Sequence, residues 1–177
     1  MPTYSPMQTV KRHFFAMRNG VISDTLRKAG SPFRVIFGLN LPQIVDIARQ
    51  TGTSMELAEE LWANTGTRES MLLAPMIADK ATFTKADALR WIASIPTAEV
   101  ADILCQRLLR AMPQAWELAE ELAADTTVAM NRYTGMRLAF NLVASDPARA
   151  MELTRRHPDA PLASALAEEA SFLLGEQ

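Results

Sequence analysis

The sequence predicts an all-α chain, an α–α superhelix of HEAT/armadillo-like helical repeats. Three observations carry that expectation. The string Glu-Leu-Ala-Glu-Glu-Leu occurs at residues 56–61 and again at 117–122. Apolar residues at helical spacing fall into pairs of stretches, 54–78, 84–111 and 113–144, a period of about 30 residues that sets the two copies two repeats apart. No stretch alternates apolar and polar residues long enough for a strand. A single helix pair cannot bury both apolar faces, so pairs stack on their neighbours.

Taken in order, Val10, Phe14, Met17, Val21 and Leu26 give a helical stripe over residues 7–30, as one long helix or two short ones, stopped by Gly30-Ser31-Pro32. Residues 33–37 form a short apolar connector. Pro42 suits a first helical turn, with Ile44, Val45, Ile47 and Ala48 on one side up to Gly52. Thr53 or Ser54 caps helix 54–64, which carries Leu57, Leu61 and Trp62. Thr67 begins 68–78, where Pro75 is expected to kink or shorten the helix. Helix 84–94 holds Leu89 and Trp91-Ile92. Pro96 separates it from 97–111, with its stripe at Val100, Ile103, Leu104 and Leu108. Pro113 starts 114–124, and 128–144 follows. Asp146-Pro147 begins 148–156, and Pro161 leads into a last helix ending near Leu174.

The chain has 177 residues, 49% of them apolar and 21% charged, which suits one globular domain over 1–177. No apolar run reaches the roughly 20 residues a membrane helix needs, and the polar, then basic, N-terminus lacks a signal-peptide core, so a cytoplasmic protein with no membrane partner is expected. The net charge of −2 is uneven: residues 1–50 balance to +5 and residues 51–177 to −7. A basic first third suits phosphates, or is a solvated face. Cys105 sits in an apolar helical pattern and reads as a buried thiol.

No cofactor or metal is expected. His13 and His157 lack a ligand at i+3 or i+4, and there is no glycine-rich phosphate loop or nucleophile elbow. The carboxylates of the repeated string read as a solvated outer face, and Trp62, Trp91 and Trp116 as core. Asp102 is the one carboxylate that stands apart. It points away from the stripe of helix 97–111, beside Ala98, Cys105 and Gln106, with no basic residue at i+3 or i+4. It reads as an exposed, un-neutralised carboxylate suited to a cationic group, or as an ordinary surface Asp.

Gly38-Leu39-Asn40-Leu41-Pro42, Leu61-Trp62, Arg68-Glu69 and Ala74 together resemble the DNA alkylation repair family, the HEAT-like repeat glycosylases, over about residues 35–145. The resemblance implies an α–α superhelix with a basic concave face for duplex DNA. It implies hydrolysis of the N-glycosidic bond of cationic N3- or N7-alkylated bases without base flipping. Asp102 falls at the position of the family's catalytic Asp, which stabilises the developing oxocarbenium charge and positions water. The family's DNA-contacting Arg falls at Tyr133, flanked by Arg132 and Arg137, which the resemblance implies as phosphate contacts. Where active members carry a Trp one turn before the Asp, this chain has Ala98. Two readings follow: a DNA-binding protein with or without glycosylase activity, and a non-catalytic helical scaffold for a protein or DNA partner.

Overall fold

The computed structural model describes residues 3–175, which contain eleven α-helices and no strand. They gather into two compact units, the first ending at Thr82 and the second beginning at Phe83.

The first unit holds α1 (Pro6–Ala16), α2 (Gly20–Lys28), α3 (Leu41–Thr51), α4 (Met55–Ala63) and α5 (Arg68–Ile77). The stripe over 7–30 resolves into two helices, because Asn19 interrupts it. Its side chain accepts from the Val21 and Ile22 N–H groups, and its own N–H goes to the Phe37 carbonyl. Ser5 with Gln8, and Asn40 with Gln43, close capping boxes on α1 and α3, each with a proline in the first turn. Pro75 is accommodated inside the last turn of α5, which ends two residues later at Ile77.

Helix α5 is buried along nearly its whole length, including the charged Arg68 and Glu69. A helix apolar or internally paired all round belongs at the centre of a core, and α3 and α4 pack on it. The Glu69 carboxylate is fully enclosed. Oε2 accepts from the Phe37 N–H at 3.1 Å, and Oε1 from the Gly38 and Leu39 N–H groups at 3.0 and 3.4 Å and from Arg68 Nη1 at 3.0 Å. The same Arg68 nitrogen donates to the Leu39 carbonyl. Such convergence offsets the cost of burying a charge. The connector bends at Gly38, whose φ of +82° suits glycine; a Cβ there would lie 2.1 Å from the Asn19 carbonyl oxygen. Beside it, Val35 bridges Thr67 in a single parallel pair.

The second unit holds α6 (Lys85–Ile92), α7 (Ala98–Arg107), α8 (Ala115–Ala123), α9 (Ala129–Leu142), α10 (Pro147–Arg156) and α11 (Ala163–Leu174). Helix α7 stops short of the expected residue 111. Its last stretch tightens into a 3₁₀ turn, Leu109–Ala111, which lets consecutive Leu108 and Leu109 both bury completely. The repeated hexapeptide proves equivalent in packing: Leu57, Ala58 and Leu61 of α4 are buried, as are Leu118, Ala119 and Leu122 of α8. Each copy packs on the helix that follows it, α5 or α9.

Helices α8 and α9 approach unusually closely. A Cβ on Gly135 would lie 2.4 Å from the Ala123 nitrogen and 2.6 Å from the Ala119 carbonyl oxygen. Two predictions follow from these contacts, both read by urea unfolding. Glu69→Gln should cost about 3 kcal/mol, and a loss below about 0.5 kcal/mol would show that the enclosed carboxylate does not hold the connector. Gly135→Ala should cost about 3 kcal/mol through overpacking against backbone; an unchanged midpoint would mean that α8 and α9 can part without penalty.

Candidate functional site

Helix α9 lies against both α7 and α8. Its N-terminus is fixed by Asp125, which accepts from the Thr127 and Val128 N–H groups, the Thr127 hydroxyl and the Asn131 amide. Those donors hold the Asp125 carboxyl well below the usual range, the Thr127 hydroxyl contributing most. In the middle of α9, Thr134 and Gly135 face the neighbouring helices, and the Cys105 thiol of α7 reaches the Thr134 carbonyl at 3.5 Å. Cys105 is fully buried; burial pushes its thiol pKa far up, with the negative charge of Asp102 adding to the effect. It is an inert packing residue, as the sequence suggests.

With Thr134 turned inward, Tyr133 and Arg137, one helical turn apart, come out beside α7. Both meet Asp102. The Tyr133 hydroxyl donates to Asp102 Oδ1 at 2.7 Å, and Arg137 Nε lies 2.9 Å from the same oxygen. The Asp102 and Arg137 side chains each keep 32% of their surface exposed. The expectation of an un-neutralised, exposed Asp102 is therefore corrected. The i+3 and i+4 positions of α7 are indeed without a cation, but the counter-charge arrives from Arg137 of α9, 35 residues on, where helix-periodicity arguments do not reach.

Burial, and then the hydrogen bond to Asp102, push the Tyr133 phenol up to about 12. Asp102 Oδ2, by contrast, accepts no hydrogen bond from the described residues. Ala98 lies exposed at the first position of α7, one turn before Asp102.

Arg132 is not gathered with these three. It forks onto Asp159 with contacts of 3.0 and 2.9 Å, and its Nε donates to the Ala123 carbonyl at 3.3 Å. The pair raises the Arg132 pKa and lowers that of Asp159.

A second cluster went unread in the sequence. Arg149 of α10 holds Glu120 by two contacts, 2.9 and 3.1 Å, and lies over the Trp116 ring; Arg156 adds a contact to Glu120 at 3.3 Å. Glu120 is held below its ordinary pKa, chiefly by the Arg149 hydrogen bonds. So the carboxylates of the second hexapeptide are not simply a solvated face: Glu120 binds α10 to α8, and Glu121 pairs with Lys85. Trp62 and Trp91 are core as expected, whereas Trp116 is half-buried and donates from its indole nitrogen to Ser145 at 3.2 Å. Trp116 and Arg149 stand 33 positions apart, so no local pattern announces them.

Among the described residues no group of His, Cys, Asp or Glu side chains could hold a metal ion, and no helix is long and apolar enough to cross a membrane.

A prediction follows for the phenol. In a Tyr4→Phe variant, Tyr133 is the one remaining tyrosine. Ultraviolet titration should then give a midpoint near 12, and Asp102→Asn should lower it part of the way toward the ordinary value of about 10. Because the folded state favours the neutral phenol, this contact's stabilisation is complete below pH about 10 and is lost as pH rises through about 12. A midpoint near the ordinary value in the Tyr4→Phe chain would mean the hydrogen bond is not formed.

No curated protein sequence matches the chain. Among solved structures, one from a family of proteins related to the HEAT-like repeat DNA glycosylases, with affinity for branched DNA structures, superposes with a TM-score of 0.76 at 21% identity, over 96% of this chain and 82% of that one. That likeness shows the fold, an α–α superhelix of HEAT-like repeats. The model of the family described as DNA alkylation repair enzyme matches residues 10–157. With that match spanning most of its length, and with the expected repeat fold, the chain belongs to the DNA alkylation repair enzyme family.

Proposed function

We propose that this chain binds DNA through phosphate contacts supplied chiefly by the cations of its first unit, and that it recognises DNA without excising bases. The observation that carries the reading is how charge is used. In the first unit Lys11, Arg12, Arg18, Arg27, Lys28, Arg34 and Lys80 are exposed, and none has a carboxylate partner among the described residues. In the second unit most cations are committed internally: Lys85 to Glu121, Arg90 to Asp87, Arg132 to Asp159, and Arg149 and Arg156 to Glu120, while Arg137 meets Asp102 through Nε. A polyanion gains most from cations that need not first give up a carboxylate. The DNA affinity of the structurally similar protein supports the same class of ligand.

The absence of excision is supported by Asp102 itself. An aspartate stabilises a cationic sugar through its negative charge, and an adjacent cation weakens that effect. Here the Arg137 charge sits 2.9 Å from Oδ1, and Tyr133 occupies the same oxygen. The methyl group of Ala98 offers no aromatic face to a deoxyribose.

The test uses the whole chain with a labelled duplex and a labelled four-way junction. Binding should weaken steeply with salt, with a log–log slope near −0.9 per phosphate contacted. Arg27→Glu combined with Lys28→Glu should weaken it further, by more than roughly tenfold. No binding, or a slope near zero, would sink the DNA reading and leave protein capture in its place. Release of N3-methyladenine or N7-methylguanine from methylated duplex should not occur. Release by the wild type that Asp102→Asn abolishes would instead establish a glycosylase.

A further inference from the structure

We infer that Asp102 acts in DNA binding as a positioning residue: with Tyr133 it fixes the Arg137 guanidinium so that its two Nη groups hold a DNA phosphate. This rests on the DNA-binding reading above and assigns Asp102 a role other than the electrostatic one implied by family resemblance.

The geometry supports a division of labour within one guanidinium. Arg137 meets Asp102 through Nε, the inner nitrogen of its fork. Its Nη groups make no hydrogen bond to the described residues, and the side chain keeps 32% of its surface exposed. Two other arginines of the second unit spend outer nitrogens within the protein, Arg132 both and Arg149 one. Arg132 places both Nη groups on Asp159, and Arg149 uses Nε and Nη2 on Glu120. The planar outer edge of a guanidinium matches two phosphate oxygens, and a flexible arginine loses less on binding when it is already oriented. The Tyr133 hydroxyl contributes by fixing the Asp102 carboxylate through Oδ1. Gly135, between Tyr133 and Arg137, keeps this stretch of α9 in register by letting it press against α8.

The sign of one effect separates this role from plain electrostatics. Removing a negative charge beside a polyanion should tighten binding. Removing a carboxylate that orients a phosphate-binding arginine should weaken it. At about 0.15 M salt the Debye length is about 8 Å, so repulsion between Asp102 and more distant phosphates is screened, and the sign of the change reports which effect prevails at the phosphate on Arg137.

The experiment is fluorescence anisotropy with the same labelled duplex and four-way junction at that salt, then as a function of salt. Asp102→Asn, Tyr133→Phe, Arg137→Ala and the Asp102→Asn/Arg137→Ala double variant are compared. Arg137→Ala should weaken binding roughly tenfold and lower the salt slope by about 0.9. Asp102→Asn should weaken it several-fold. In the double variant, Asp102→Asn should cause no loss beyond that of Arg137→Ala. Tyr133→Phe, which deletes a single oxygen, should weaken binding in the same direction and decides the matter if Asp102→Asn fails to fold. Wild-type affinity or tighter in both Asp102→Asn and Tyr133→Phe, a fully additive double variant, or an unchanged Arg137→Ala would each overturn the inference while leaving DNA binding in place. A wild-type chain that does not bind DNA would remove the broader reading and this inference with it.

Discussion

The second unit depends on an absence, the missing Cβ at Gly135. Side-chain layers ordinarily keep packed helices about 8–10 Å apart. At Gly135 the backbone of α9 sits directly on the backbone of α8 at Ala119 and Ala123, both fully buried. That contact sets which way α9 is turned. Thr134 then faces Cys105 on α7, and Tyr133 and Arg137 emerge beside Asp102. A rotation of α9 by one residue, about 100°, would carry both side chains away from the carboxylate. The cluster is thus a by-product of how two helices are packed, so a glycine governs where Asp102, Tyr133 and Arg137 meet.

In the first unit a charge does comparable work. Glu69 is enclosed in the central helix, yet its partners are mostly main-chain N–H groups of the connector that enters α3. A connector made only of loop backbone would leave those donors without helix or sheet partners. The carboxylate supplies them, Arg68 balances its charge, and Gly38 provides the backbone bend that points three consecutive N–H groups inward. The three features are interdependent: an alanine at position 38 would strike Asn19, which both caps α2 and anchors to Phe37.

Both units also show how the same residue types serve different ends. Most exposed cations of the first unit have no carboxylate partner among the described residues, whereas several of the second join helices, as Arg149 and Arg156 join α10 to Glu120 of α8. The net charge of −2 conceals this division. For a protein that meets a polyanion, the number of uncommitted cations matters more than the total.

Much of the architecture was determined by the sequence alone. The repeated hexapeptide, the caps at Ser54 and Asp146 and the helix-breaking Gly30, Gly52 and Pro96 act within a few residues of themselves, so they are legible in order along the chain. They specify an all-helical repeat, and family motifs placed Asp102, Tyr133 and Arg137 among the residues to watch. The packing decided the rest. That Arg137 neutralises Asp102 while Arg132, five residues earlier on the same helix, turns to Asp159 depends on the rotation of α9, and that rotation is set against α8. That Glu120 is a structural ion-pair centre rather than a solvated face depends on α10, about 30 residues away. Such contacts join residues distant in sequence through the geometry of close packing, and no local spacing rule encodes them.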